Sequence, residues 1–177
     1  MNKDYRWTVL FLSSLVGWFF WREINHFLTP YHLSLYLGGL LITFGILRLP
    51  LYSGLIHSAL VGAWLDAAAP TYPFGTGILV FSLLHLLVFT LRQKIPHDTS
   101  AWMILAALLI NFLLFLFWTV YHYPLQIDPQ GYLWRSLVDL IISQIAITIV
   151  AVWFFSLQNS LLHLCRMPLD EDSPLSP

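Results

Sequence analysis

The chain has 177 residues, 58% of them hydrophobic and only 10% charged. An average soluble domain carries roughly 25% charged residues and 45–50% apolar ones, so an ordinary water-soluble globule is excluded. Eight lysines and arginines against nine aspartates and glutamates give a net charge of -1, which leaves no basic footprint for nucleic acid. The single cysteine, Cys165, excludes an internal disulfide and a cysteine-based metal site.

A membrane-crossing helix needs about 20 mostly apolar residues, and six stretches meet or approach that length. The first, 7–21, is short and lies between Arg6 and Arg22. It lacks a small-residue cleavage site, so it reads as a retained helix and not as a signal peptide. The second, 31–47, runs from Pro30 to the Arg48-Leu49-Pro50 turn. The third, 51–69, ends at Pro70, and a Pro/Gly turn leads to the fourth at 76–91. The fifth is 102–121 and the sixth 134–157. The sixth continues as an amphipathic exit over 156–166. Residues 168–177, with Asp170-Glu171-Asp172 and three prolines, read as a disordered acidic tail. None of these runs shows the period-two alternation of a barrel strand. The expected fold class is an all-α membrane protein, one bundle of six transmembrane helices within residues 1–167.

Lysine and arginine positions set the expected orientation. With the N-terminus cytoplasmic, that side receives Lys3, Arg6, Arg48, Arg92, Lys94 and Arg166, and the outer side only Arg22 and Arg135. Both termini are therefore expected inside. Trp7, Trp18, Trp21, Trp102, Trp118 and Trp134 lie near span ends, where interfacial tryptophans anchor helices.

Polar residues inside apolar spans are the candidates for function, because ions in lipid are expensive unless paired or wetted. Four-residue steps back from Asp66 reach Gly62, Ser58 and Gly54, one helix face on which small residues allow a close backbone approach. This face reads as a helix-docking seam or partner interface; Asp66 either meets a partner or caps the following turn. Arg135 and Asp139, four apart, can form an intramembrane ion pair, and a cross-helix pair between Asp66 and Arg135 is the alternative. His57 and His85 read as core hydrogen-bonding residues more than metal ligands, and Asn111 and Gln144 as interhelical glue. The chain has no His-Glu-x-x-His, no Gly-x-Ser-x-Gly, no phosphate loop and no dinucleotide fingerprint. Nothing in it nominates a nucleophile with a base, a metal site or a cofactor.

Gly62-Ala63-Trp64-Leu65-Asp66, followed by the turn ending Pro73-Phe74-Gly75, resembles the rod shape-determining protein MreD family, whose motif is a small-residue helix reading Gly-x-x-x-Asp before a Leu-Gly or Phe-Gly step. The basic loop around Arg92 and Lys94, the aromatic fifth span and the Tyr132-Leu133-Trp134-Arg135 start of the last span extend the likeness to most of the chain. The aromatic first span and the acidic tail do not map onto it. The resemblance implies a fold like the substrate-binding subunits of energy-coupling-factor vitamin importers. It also implies a non-catalytic component of the bacterial inner membrane, part of the cell-wall elongation machinery. The implied partners are the periplasmic scaffold MreC and, through it, MreB filaments and RodA with its class B transpeptidase. The alternative is an importer substrate-binding subunit. That role needs a small-residue docking face on the first helix, where only Ser13 and Gly17 stand at the required spacing.

Overall fold

A computed structural model describes residues 4–68, 73–92, 100–167 and 169. The described residues form six α-helices and no strand: α1 (Arg6–Leu28), α2 (Gly38–Arg48), α3 (Leu51–Ala68), α4 (Thr76–Arg92), α5 (Ser100–His122) and α6 (Pro129–Leu164). The all-helical class is as expected. The acidic tail, Leu169 apart, and Lys3, Pro70 and Lys94 lie outside the described residues.

Helix ends follow local chemistry. Asp4 Oδ1 accepts the Arg6 backbone N–H at 3.1 Å, and the same carboxylate pairs with the Arg6 guanidinium at 2.8 Å, fixing the start of α1. Asp128 caps α6 by accepting the Gly131 N–H at 3.1 Å, with Pro129 at the first helical position, where a missing N–H does no harm. Expected from 134, the sixth helix begins five residues earlier, at Pro129, and runs unbroken to Leu164. At α1 the helix continues past Trp21 through Arg22 and Glu23 to Leu28. A 3-10 turn follows, Thr29–Tyr31, and His32 takes a left-handed conformation (φ 56°) that turns the chain back along the bundle.

The second element departs furthest from the sequence reading. Only Gly38–Arg48 is helical, and residues 33–37 run through the bundle without helical structure. Eleven helical residues rise about 16 Å, roughly half of a bilayer's ~30 Å hydrocarbon core. The second element is also the centre of the molecule. Every residue of α2 from Gly38 to Ile46 is buried, and α2 touches each of the other five helices, which α1, α3, α4, α5 and α6 do not. Glycines permit that crowding. A Cβ on Gly39 would meet the backbone of Asn111 in α5, and one on Gly45 would meet the His57 ring in α3.

Two helices, α5 and α6, are long and apolar enough to cross a membrane. In their most apolar stretches only 28% and 22% of residues are buried, so neither is the enclosed core helix of a soluble protein. Large side chains such as Trp153 (81% exposed), Phe112 and Ile149 face outward.

Candidate functional site

The face predicted on α3 is a packing seam, and it is filled by the chain's own α4. The α3–α4 contact is the most extensive in the molecule. A Cβ at Gly62 would sit 2.5 Å from the Gly77 carbonyl oxygen, and one at Gly54 would sit 2.6 Å from Cε1 of His85. Ser58 Oγ lies 2.9 Å from His85 Nδ1. Gly54, Ser58, Gly62 and Asp66 are all buried. Small residues at four-residue spacing thus bring two helix backbones together, as the spacing implied, with the occupant supplied intramolecularly.

Asp66, 4% exposed, ends this seam as a helix cap supplied from a neighbouring helix. Its carboxylate accepts the N–H of Gly75 at 2.8 Å and that of Gly77 at 2.8 and 3.0 Å. The first N–H groups of a helix have no intrahelical acceptor, and the helix N-terminus carries partial positive charge. An aspartate one helix earlier answers both. Of the two roles open to Asp66, capping the next turn is the one the geometry forms. Gly75 adopts φ 104°, a left-handed turn suited to glycine.

Asp139 and Arg135 do not form the expected ion pair, and Arg135 does not reach Asp66. Among the described residues, Arg6–Asp4 is the one ion pair closed within 4.0 Å. Arg135 is exposed on the first turns of α6, whereas Asp139 is buried. Asp139 Oδ1 instead accepts the backbone N–H of Ser34 at 2.9 Å. That N–H belongs to the non-helical stretch of the second element, where no helical carbonyl is available to it.

The whole stretch is held this way. Asn25 of α1 accepts the Leu35 N–H at 2.7 Å and donates to the Leu35 carbonyl at 3.0 Å, and Trp21 Nε1 donates to the same carbonyl. Ser143 Oγ accepts the Tyr36 N–H at 2.8 Å while donating to the Asp139 carbonyl at 2.6 Å. Asn111 Oδ1 takes the Gly39 N–H at 3.2 Å, at the start of α2. Side chains from α1, α5 and α6 therefore form a cradle for backbone that cannot bond to itself. The sequence reading missed Asn25 and Ser143 because the groups they serve lie on another element, ten residues away for Asn25 and more than a hundred for Ser143.

Other interior polar groups bond within the chain as well, although Trp64 Nε1, His57 Nδ1 and His85 Nε2 are buried without a hydrogen-bond partner among the described residues. Ser14 Oγ donates to the Leu41 carbonyl at 2.9 Å, so its neighbour His57 Nε2, 3.3 Å away, is the donor of that pair. Gln158 donates to Ser13 Oγ at 3.1 Å, joining the end of α6 to the start of α1. Gln144 of α6 donates to the Leu108 carbonyl of α5 at 3.2 Å, the interhelical link expected of it. Arg92, read from the sequence as part of a basic loop, is only 3% exposed. Its Nη1 donates to the carbonyls of Ile46 at 2.6 Å and Leu49 at 3.1 Å, a cation on the negative end of α2. Trp18, expected as an interfacial anchor, packs inside, edge-on to Trp64 at 5.5 Å.

Chemically, the side chains of Asp66, Asp139, Asn25, Ser143 and Asn111 support and position backbone. Among the described residues, no three His, Cys, Asp or Glu side chains gather at metal-binding distance. No protein-family model, curated protein or solved structure matches the chain.

Proposed function

We propose that the chain is a multi-pass protein of the bacterial inner membrane, with six crossing elements and both termini cytoplasmic. We further propose that it acts as a non-catalytic scaffold of the MreD kind in cell-wall elongation. In this role it holds an MreC-like periplasmic scaffold and is linked through it to MreB filaments and to RodA with its class B transpeptidase. The resemblance at Gly62–Asp66 and Phe74-Gly75 supplies the partners.

The observation that carries the reading is a division of labour. Buried polar side chains turn inward onto the chain's own backbone, as at Asp66, Asp139 and Asn111. The exterior of α5 and α6 is a continuous supply of exposed Leu, Ile, Phe and Trp. Lipid demands both: backbone groups satisfied internally and apolar side chains outward. The broken second element fits the same rule, since non-helical backbone at membrane depth is tolerated where protein encloses it. Contact with other proteins through the molecule's surface is the role the MreD resemblance implies.

The test is affinity purification of the tagged chain from detergent-solubilised membranes of cells co-expressing the cognate MreC-type scaffold, together with deletion of the gene. The chain is expected to stay with the membrane through a carbonate wash, to retain the scaffold, and to be required for rod shape. Recovery in the wash, or intact rods without it, overturns the reading. High-affinity vitamin binding by the purified protein would assign it to importers instead.

A further inference from the structure

Two arginines stand at the end of the bundle where α2 and α4 finish, and they are used differently. Arg92 is buried, bonded to Ile46 and Leu49 and lies 4.0 Å over the Phe89 ring. It already serves the last carbonyls of α2. Arg48, the last residue of the same helix, is exposed. Among the described residues no hydrogen bond, ion pair or ring contact engages its guanidinium. Arg48 lines a crevice of about 290 Å³ between α2, α5 and α6. One water requires only ~10–15 Å³ measured this way, so a polyatomic group fits.

The walls of that crevice are of two kinds. Its apolar floor is the buried Phe44 and Phe155 with the half-buried Met103, Ile104 and Leu169; its exposed rim carries Arg48 together with Ser156, Asn159 and His163. The three α6 residues stand at i, i+3 and i+7, one helix face, and each offers a hydrogen-bond donor. No acidic side chain lines the crevice among the described residues. A second, apolar cavity of about 100 Å³ shares Arg48 and Met103 with the first. A fixed cation with neutral donors beside it suits a phosphate, which a guanidinium grips with two parallel bonds. The apolar residues that line both cavities suit what a lipid phosphate is attached to. Basic pockets between helices at headgroup depth are where anionic lipids dock.

We propose that this crevice binds an anionic phospholipid, its phosphate on the Arg48 guanidinium with Asn159, Ser156 and His163 as further donors, and its acyl chain along the apolar floor. The proposal rests on the membrane reading above but not on the scaffold role.

The experiment uses the full chain purified in a non-ionic detergent and measures retained lipid by native mass spectrometry after addition of phosphatidylglycerol, phosphatidylcholine or inorganic phosphate. Wild type is expected to retain phosphatidylglycerol in preference to phosphatidylcholine. Millimolar inorganic phosphate should not displace the lipid, because it lacks the chain. Arg48→Gln should weaken retention by about tenfold or more, the scale of a lost charge-assisted contact, and Asn159→Leu should weaken it less. Arg166→Gln removes an exposed cation outside the crevice and should change nothing, as should the thermal unfolding of all three variants. Equal retention by Arg48→Gln, equal losses from Arg48→Gln and Arg166→Gln, or displacement by free phosphate would overturn the site. A chain that stays in solution without detergent would overturn the membrane reading itself.

Discussion

Asn25 grips Leu35 by both of its backbone groups, accepting its N–H at 2.7 Å and donating to its carbonyl at 3.0 Å. A side-chain amide here does what a neighbouring strand does in a sheet. The rest of the cradle extends the same service to Ser34, Tyr36 and Gly39, so the non-helical stretch is not a loose joint.

Asn25→Leu is expected to destabilise the protein by about 1–3 kcal/mol, the cost of leaving the buried Leu35 N–H without an acceptor. Asn25→Asp keeps the acceptor but sets an oxygen against the Leu35 carbonyl where Asn25 donates, so it should recover little of that loss even though Trp21 still serves the carbonyl. Thermal unfolding of detergent-purified variants reads both, at about 2–4 °C per kcal/mol for a chain of this size. Equal melting of Asn25→Leu and wild type would remove the cradle from the account of stability.

Asp66→Leu should lower stability by about 2–4 kcal/mol, since it orphans two N–H groups and removes an anion from the start of α4. Asp66→Asn keeps an acceptor and should lie between. Any loss of partner retention by Asp66→Leu is expected to track this loss of stability across detergents and temperatures. Partner loss with an unchanged melting curve would show that the carboxylate acts outward instead.

How much of this could be read from the chain depends on how far apart the interacting groups lie. The limits of α3, α4 and α5 fall within a few residues of those expected, because prolines and charges punctuate the sequence there. The Gly54–Ser58–Gly62 spacing announced a close approach, and one was found, but periodicity on α3 says nothing about which helix arrives. The break in the second element is invisible in composition: 33–37 is as apolar as its surroundings, and what makes the break tolerable sits on α1 and α6. Asp139 illustrates the same limit. Its nearest charge in sequence is Arg135, while its actual partner is a backbone amide 105 residues away.

Gly62→Ala is expected to destabilise by roughly 1–3 kcal/mol, because the added methyl meets the Gly77 carbonyl of a fixed backbone and must push α3 and α4 apart. Gly38→Ala is the internal comparison. Its Cβ would meet only the Leu114 and Phe81 side chains, at 3.4 Å or more, so it should be neutral, or stabilising by up to about 1 kcal/mol through the unfolded chain. Reversal of that order in unfolding measurements would contradict the seam geometry.

Arg92→Gln should cost about 2–3 kcal/mol by releasing the carbonyls of Ile46 and Leu49 from a charged donor, whereas Arg48→Gln should leave the melting temperature unchanged. Expression level and unfolding in one detergent separate the two arginines, which lie at the same end of the bundle and are indistinguishable by charge counting. Equal losses from both substitutions would show that Arg48 too is structural.

The cradle also constrains the order of events during synthesis. Ser34 and Tyr36 leave the ribosome 105 and 107 residues ahead of their acceptors, Asp139 and Ser143 of α6. Until α6 forms, neither amide has the partner it holds in the fold. On the membrane reading proposed above, a nascent chain must keep this second segment wetted, or bonded within itself, and can commit it to the bundle interior only when α6 docks.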